Sequence, residues 1–233
     1  MEKNLALFFY RYDLKKYSKY VDILFLPSKE MASYLPKSID LPIRELPPGH
    51  NIDAVNENCD VSDNLELFYV GGVGALYQMH ELFKVSKHDN VTIKFSTRED
   101  DWQKVSDEYS NLKVIQKVSF FGKELREQLE KTHIGLIFVK PIEYWTFVMP
   151  VKLFEYIGNG IPIIASEGTL TAHFVQEHGI GWVIPYDGSC FDDLITHILN
   201  NREEITDKRK NILKIHKDHN WLSRAQKVID CLV

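Results

Sequence analysis

Cysteine is scarce in this chain. Its three copies, Cys59, Cys190 and Cys231, are far apart and odd in number, and none forms a C-x-x-C pair, which argues against a disulfide framework and a zinc knuckle. Long apolar runs are also missing: those at 134–139 and 161–165 are far short of the roughly 20 residues that span a bilayer. Met1-Glu2-Lys3-Asn4 does not open a secretory signal. These absences lead to the expectation of a cytoplasmic protein with no transmembrane segment. A basic excess is missing too, with 28 Lys+Arg against 33 Asp+Glu and a net charge of −5. Neutralising several phosphates needs a basic face, so no nucleic-acid partner is expected. There is no G-x-S-x-G elbow, P-loop or H-E-x-x-H. The nine histidines are scattered, and His216 and His219 fall in a Lys-rich stretch that reads as a solvated helix without a third ligand, so no metal site is expected.

What remains is ordinary globular composition: 233 residues, 44% apolar and 26% charged, enough for one large or two small domains. From residue 65 onward, apolar runs at 65–70, 91–96, 112–116, 134–139, 161–165 and 181–184 alternate with helical stretches at 77–86, 99–109, 122–131, 151–158 and 170–178. The runs are mostly apolar on both sides, as strands buried on both faces must be. Their order implies right-handed crossovers and an α/β fold, a doubly wound parallel sheet covered by helices on both faces. Helices at 191–200 and 221–232 close the chain.

Upstream the pattern differs: a helix, a strand at 21–27, a helix from Ser28, an extended stretch at 42–48 and a polar, aperiodic linker at 55–64. Residues 1–50 therefore read as a small appendage to one domain, 51–233. The first 20 residues carry Lys3, Arg11, Lys15, Lys16 and Lys19 against Glu2 and Asp13, beside Leu5, Leu7, Phe8 and Phe9. Such a helix packs on a partner domain or touches an anionic membrane surface.

In an open parallel sheet, ligands bind beyond the carboxyl ends of the strands. The first loop there is Tyr69-Val70-Gly71-Gly72-Val73-Gly74, where Gly71, Gly72 and Gly74 would let backbone N–H groups approach a phosphate or sugar. It lacks the G-x-G-x-x-G spacing of a dinucleotide fingerprint, so a structural turn stands beside a ligand loop as a reading. The second segment is PVKLFEYIGNGIP from Pro150, with Pro150 suited to a first helical turn and Gly158 and Gly160 to its end. Lys152 then lies at the wrong end of the helix dipole for a cation, a conflict that a bound pyrophosphate would remove. Glu155, one turn on, can accept hydrogen bonds from a ribose diol, or the two form a plain surface pair. In Val118-Ser119-Phe120-Phe121-Gly122-Lys123, a phenylalanine either flanks a nucleobase or belongs to the core. Ser96 and Thr97 follow the second strand, where Thr97 also suits a helix N-cap.

The run PVKLFEYIGNGIPIIAS resembles the donor-site segment of glycosyltransferase family 4, retaining sugar transferases with the two-domain GT-B fold. LFYVGG, VSFFGK and TAHFVQEHGIGWVIP follow the same family order, and VDILFLPSKEMASYL and ELPPGHNID resemble the end of the amino-terminal domain and the crossover into the second. The resemblance implies a Rossmann-like half of a GT-B fold, with 1–50 as the remnant of the amino-terminal domain and 51–233 as the nucleotide-sugar-binding domain. It implies that Glu155 holds the donor ribose and Lys152 the diphosphate, with Gly71, Gly72 and Gly74 as the first loop. Phe121 and Lys123 fall where the family meets the nucleobase. The family's first glutamate would stand at Phe147, so backbone from Phe147 through Val148, Met149 and Pro150 to Val151 would face the sugar and diphosphate.

The implied function is transfer of a hexose from a UDP- or GDP-sugar to a glycan or lipid-linked acceptor in polysaccharide biosynthesis. No cofactor or metal is implied. At roughly 150 residues per domain the acceptor half does not fit in the chain, so an amino-terminal domain or subunit is an expected partner and transfer by this half alone is not. The expected location is the cytoplasm, with peripheral contact at the inner membrane face. A non-catalytic binding or scaffolding subunit with a vestigial pocket is the other reading. GT-B epimerase and phosphorylase halves fit less well, lacking a catalytic histidine with carboxylates and a cofactor lysine site respectively.

Overall fold

A computed structural model describes residues 2–51, 55, 64–74, 76–108 and 114–232. The chain opens with helix α1 (Glu2–Tyr17) and strands β1 (Leu24–Leu26) and β2 (Ile43–Glu45), which pair in parallel. The helix expected from Ser28 is a short 3-10 turn at Glu30–Tyr34. Apart from Val55 and Asn64, the polar run at 55–64 lies outside the described residues, as does Cys59.

Strands β3 (Leu65–Val70), β4 (Val91–Ser96), β5 (Ile115–Val118), β6 (Ile134–Ile137), β7 (Ile163–Ser166) and β8 (Gly181–Ile184) form one parallel sheet ordered β5-β4-β3-β6-β7-β8. This doubly wound order reverses between β3 and β6, opening a crevice at their carboxyl ends. Alternation along β3 builds two cores. Leu65, Leu67 and Tyr69 join Phe95, Leu136 and Ile164 on one face, and Phe68 joins Phe154, Tyr156 and Ile157 on the other. The crossover helices are α2 (Glu99–Glu108), α3 (Gly122–Lys131), α4 (Val151–Gly158) and α5 (Leu170–His178), followed by α6 (Gly188–Asn200), α7 (Glu203–Ile215) and α8 (Trp221–Leu232). No helix among the described residues is long and apolar enough to cross a membrane.

The helix expected at 77–86 does not form, and only a 3-10 turn at Leu82–Lys84 is present. Distant side chains take up its backbone groups. The Tyr186 hydroxyl donates to the Gln78 carbonyl and accepts from the Glu81 N–H, and Trp145 Nε1 donates to the Leu76 carbonyl at 2.7 Å. With Gln78 at φ 38°, a continuous helix is ruled out. The stretch around His216 is not solvated either. His216 is buried, its ring 4.3 Å from that of His50 and tilted by 40°, and His50 Nε2 lies 2.9 Å from the His216 carbonyl. This contact ties the crossover at 47–50 to the turn before α8, whose buried Arg224 donates to the Pro47 carbonyl at 2.9 Å.

Candidate functional site

Helix α4 is placed by its contact with the sheet. A Cβ at Gly135 of β6 would lie 2.5 Å from the Tyr156 ring, so glycine there allows the helix to seat directly on the strand. The Tyr156 hydroxyl donates to the Phe68 carbonyl of β3 at 3.0 Å. Pro150 takes the N-cap position with extended geometry (φ −73°, ψ 141°), and the helix begins at Val151 and ends at Gly158 as the sequence predicts. This arrangement carries Lys152 to the end of β3.

Lys152 is buried, with 7% of its surface exposed. Its ammonium donates to the Tyr69 hydroxyl at 2.8 Å and lies 3.9 Å and 4.6 Å from the centres of the Tyr69 and Tyr77 rings. The Tyr69 hydroxyl in turn donates to the Gly72 carbonyl at 2.6 Å. Gly71, at φ +139°, has its N–H on the Ser96 carbonyl, and a Cβ there would stand 2.7 Å from Lys152 Nζ. The reading of Lys152 and Glu155 as a plain surface pair is thus corrected, because the ammonium is enclosed by two tyrosines and the glycine loop.

The electrostatics follow from that enclosure. Burial brings the Lys152 ammonium down to about 7, opposed by the nearby Glu155 charge. Burial raises the Glu155 carboxyl, opposed by Lys152. The Tyr69 phenol is raised well above its usual range, chiefly by burial, and so stays protonated. A desolvated cation beside the open amino end of a helix is an arrangement that an entering diphosphate would complete.

Other candidates fall into two groups. Ser96 Oγ accepts from the Phe120 N–H at 3.1 Å, so Ser96 links the glycine loop to the 119–122 turn. Thr97 is not a helix cap: α2 begins at Glu99, and the Thr97 hydroxyl is buried without a partner. Phe120 is half-buried and packs against the core, while Phe121 is 67% exposed and Lys123 pairs with Glu127 at 3.3 Å on the surface. Gly74 borders open space. Phe147 is engaged by the amino-terminal segment, its ring 4.3 Å from that of Tyr34 and its carbonyl accepting from Ser28 Oγ at 2.5 Å. Met149 and Pro150 are buried, Val148 is half-buried and Val151 is exposed.

A cleft of about 500 Å³ lies elsewhere, between Lys29, Glu45, α5 and Arg224, reaching Thr146 and Met149 but neither Lys152 nor Glu155. Among the described residues no cluster of three metal-ligating side chains occurs. Tyr69 and Tyr77 were not foreseen as site residues. The only signal for Tyr69 was its position two residues before the glycines, since its partner Lys152 is 83 residues away.

Among solved structures, the chain is similar to HepE from Anabaena in complex with UDP and glucose, with a TM-score of 0.71 and 11% identity over 95% of this chain and 66% of that one. For sucrose-phosphate synthase from Thermosynechococcus elongatus the values are 0.67 and 16%, over 91% and 58%. For WaaG, a glycosyltransferase involved in lipopolysaccharide biosynthesis, they are 0.63 and 13%, over 90% and 61%. The chain thus spans about three fifths to two thirds of these proteins. The likeness shows the fold, the Rossmann-like domain of GT-B glycosyltransferases. No curated protein matches the chain by sequence. Residues 67–214, more than half of the chain, match the family described as Glucosyltransferase 3-like, C-terminal domain, and the chain belongs to that family.

Proposed function

We propose that this chain is the donor-binding half of a retaining glycosyltransferase of family 4, passing a hexose from a UDP- or GDP-sugar to a glycan or lipid-linked acceptor in polysaccharide biosynthesis. The observation that carries the reading is the convergence of Lys152, the glycine loop and the start of α4 at the crevice between β3 and β6. HepE, of similar fold, was solved with UDP-glucose, which supports a nucleotide-sugar ligand.

In this reading Lys152 and the first amides of α4 neutralise the departing diphosphate, whose charge grows as the glycosidic bond breaks. Glu155, whose carboxylate makes no hydrogen bond among the described residues, accepts from the ribose hydroxyls. The chemistry requires no metal. Residues 1–50 form the remnant of an amino-terminal domain, 51–233 bind the donor, and the acceptor comes from an amino-terminal domain or subunit without which transfer does not occur. The expected location is the cytoplasm, with peripheral contact at the inner membrane face through the basic first helix or packing of that helix on a partner domain.

Glu155→Ala is expected to weaken nucleotide-sugar binding about tenfold or more, roughly 1.4 kcal/mol, with the fold intact. Titration calorimetry with UDP, GDP and their sugars checks this, and unchanged affinity sinks the assignment. A second reading, a non-catalytic subunit with a vestigial pocket, is favoured by Phe147. The resemblance puts a carboxylate for the donor hexose at this position, and here the side chain is a ring that packs on Tyr34. Absence of any nucleotide binding would favour that reading.

A further inference from the structure

The Tyr69 hydroxyl is placed between the two parts of the site that must act together. It lies on β3, is fully buried, and stacks its ring on Phe95 at 4.4 Å. The hydroxyl accepts from Lys152 Nζ at 2.8 Å and donates its own proton to the Gly72 carbonyl at 2.6 Å. One buried group therefore fixes an ammonium on α4 and a carbonyl in the loop after β3, and among the described residues no other hydrogen bond reaches that ammonium. From this geometry we infer that Tyr69 is the positioning residue of the donor site, holding Lys152 against the glycine loop so that ammonium and loop amides meet a diphosphate as one preformed unit.

The alternative is that Tyr69 only fills the core. Its ring is enough for that task, being packed on Phe95 and beneath the ammonium at 3.9 Å. The hydroxyl is what a core ring does not need. It supplies Lys152 with its one hydrogen-bond acceptor among the described residues, in a buried setting where an ammonium lacking one is costly. Removing the oxygen therefore lowers the tendency of Lys152 to hold its proton. Among the described residues, the charged and titratable groups facing this ammonium are few: Tyr69 on β3, Tyr77 on the following loop and Glu155 on α4. Asp101 on α2 stands further off, 3.9 Å from the Cβ position of Gly72. Of these, Tyr69 is the group hydrogen-bonded to Lys152. The protonated state of Tyr69, enforced by burial, keeps its proton available for the Gly72 carbonyl.

This inference rests on the donor-site reading, and the experiment separates the two. Tyr69→Phe keeps the ring and removes the oxygen. The first readout is the pH titration of the lysine Cε resonances in protein carrying 13C-lysine, with the Lys152 signal identified by its loss in Lys152→Met. The second is the affinity for UDP and GDP at pH 6 and pH 8. In Tyr69→Phe the Lys152 midpoint is expected to fall. The affinity is expected to drop about threefold at pH 6, where both proteins hold the charge, and about tenfold at pH 8, where the variant has lost more of it. An unchanged midpoint with unchanged affinity overturns the positioning role. An equal loss of affinity at both pH values with an unmoved midpoint overturns it too, as that is the mark of altered packing. If the unmodified protein binds neither nucleotide, the donor reading falls, and the Lys152 midpoint alone decides whether Tyr69 governs that ammonium.

Discussion

At the inner end of the site, between β3 and α4, the charged group is enclosed. Lys152 is buried among Tyr69, Tyr77 and Gly71, and its proton is held loosely. At the outer end, after β5, Phe121 and Lys123 stand in solvent, and the lysine is already paired with Glu127. Interactions at the inner end are strengthened by low polarity and fixed geometry, while those at the outer end are screened by water and salt. On the proposed reading, the difference predicts that affinity for a diphosphate resides inside and that the outer end adds selectivity at small cost to the fold.

The largest effect that would break this comparison comes from Lys152→Met. Loss of a charge-assisted contact to a diphosphate is expected to weaken UDP binding about 100-fold. The same change should stabilise the fold. The folded protein penalises the protonated lysine and the unfolded chain does not, so the penalty is full below about pH 7. It is relieved as pH rises from there toward the usual lysine range near 10.5. Wild-type stability should therefore increase with pH over that window through this group, and Lys152→Met should remove the slope and gain about 1–3 kcal/mol at pH 7. Denaturant titrations of both proteins at pH 6.5 and 9 measure it, and parallel slopes would mean that the ammonium is not buried as described.

Gly71→Ala comes next and separates geometry from charge. The backbone at φ +139° disfavours any side chain, and the added carbon meets Lys152 Nζ. The variant is expected to lose about 1–3 kcal/mol of stability and about tenfold in UDP affinity, with the charge still present. Unlike Lys152→Met, it weakens both properties together. Retained affinity measured by calorimetry would show that the loop and the ammonium act independently.

The two ends also differ in how they could be read from the sequence. Strands β3, β4, β6 and β8 were legible as short runs rich in apolar residues, most plainly β6, whose four residues are all buried, while Glu66 in β3 and Lys94 in β4 interrupt theirs. Helix α4 was legible through Pro150 and the glycines that end it. Helix α7 was not singled out, because its many charges obscure Ile205 and Ile212, two turns apart on its buried face. The false helix at 77–86 had local periodicity, but Tyr186 and Trp145 captured its backbone from across the chain. Lys152 was singled out by its conflict with the helix dipole and Glu155 by its spacing one turn on, both local signals. The tie from Lys152 to Tyr69 had no local signal, since it depends on how α4 docks on β6. The orphaned Thr97 hydroxyl was hidden for the same reason, as its side chain suited a cap and only the start of α2 at Glu99 excluded it.

Phe121→Ala gives the smallest effect and sharpens the outer half of the comparison. The ring is two-thirds exposed, and Phe120 supplies the core contact of this turn, so stability should change by no more than about 0.5 kcal/mol. A large apolar ring held in water at the mouth of a crevice loses little on removal from the fold, but it can cover one face of a base. Stacking of that kind contributes about 1 kcal/mol, so the affinity for a nucleoside diphosphate should fall about fivefold. Affinity for inorganic pyrophosphate should not change, because the inner end is untouched. Calorimetric titration of the variant with UDP and with pyrophosphate makes the distinction, and an equal loss for both would move Phe121 from base contact to support of the diphosphate loop. No loss for either would confine binding to the inner end, with Ser96 acting only as the bridge that holds the two loops in register.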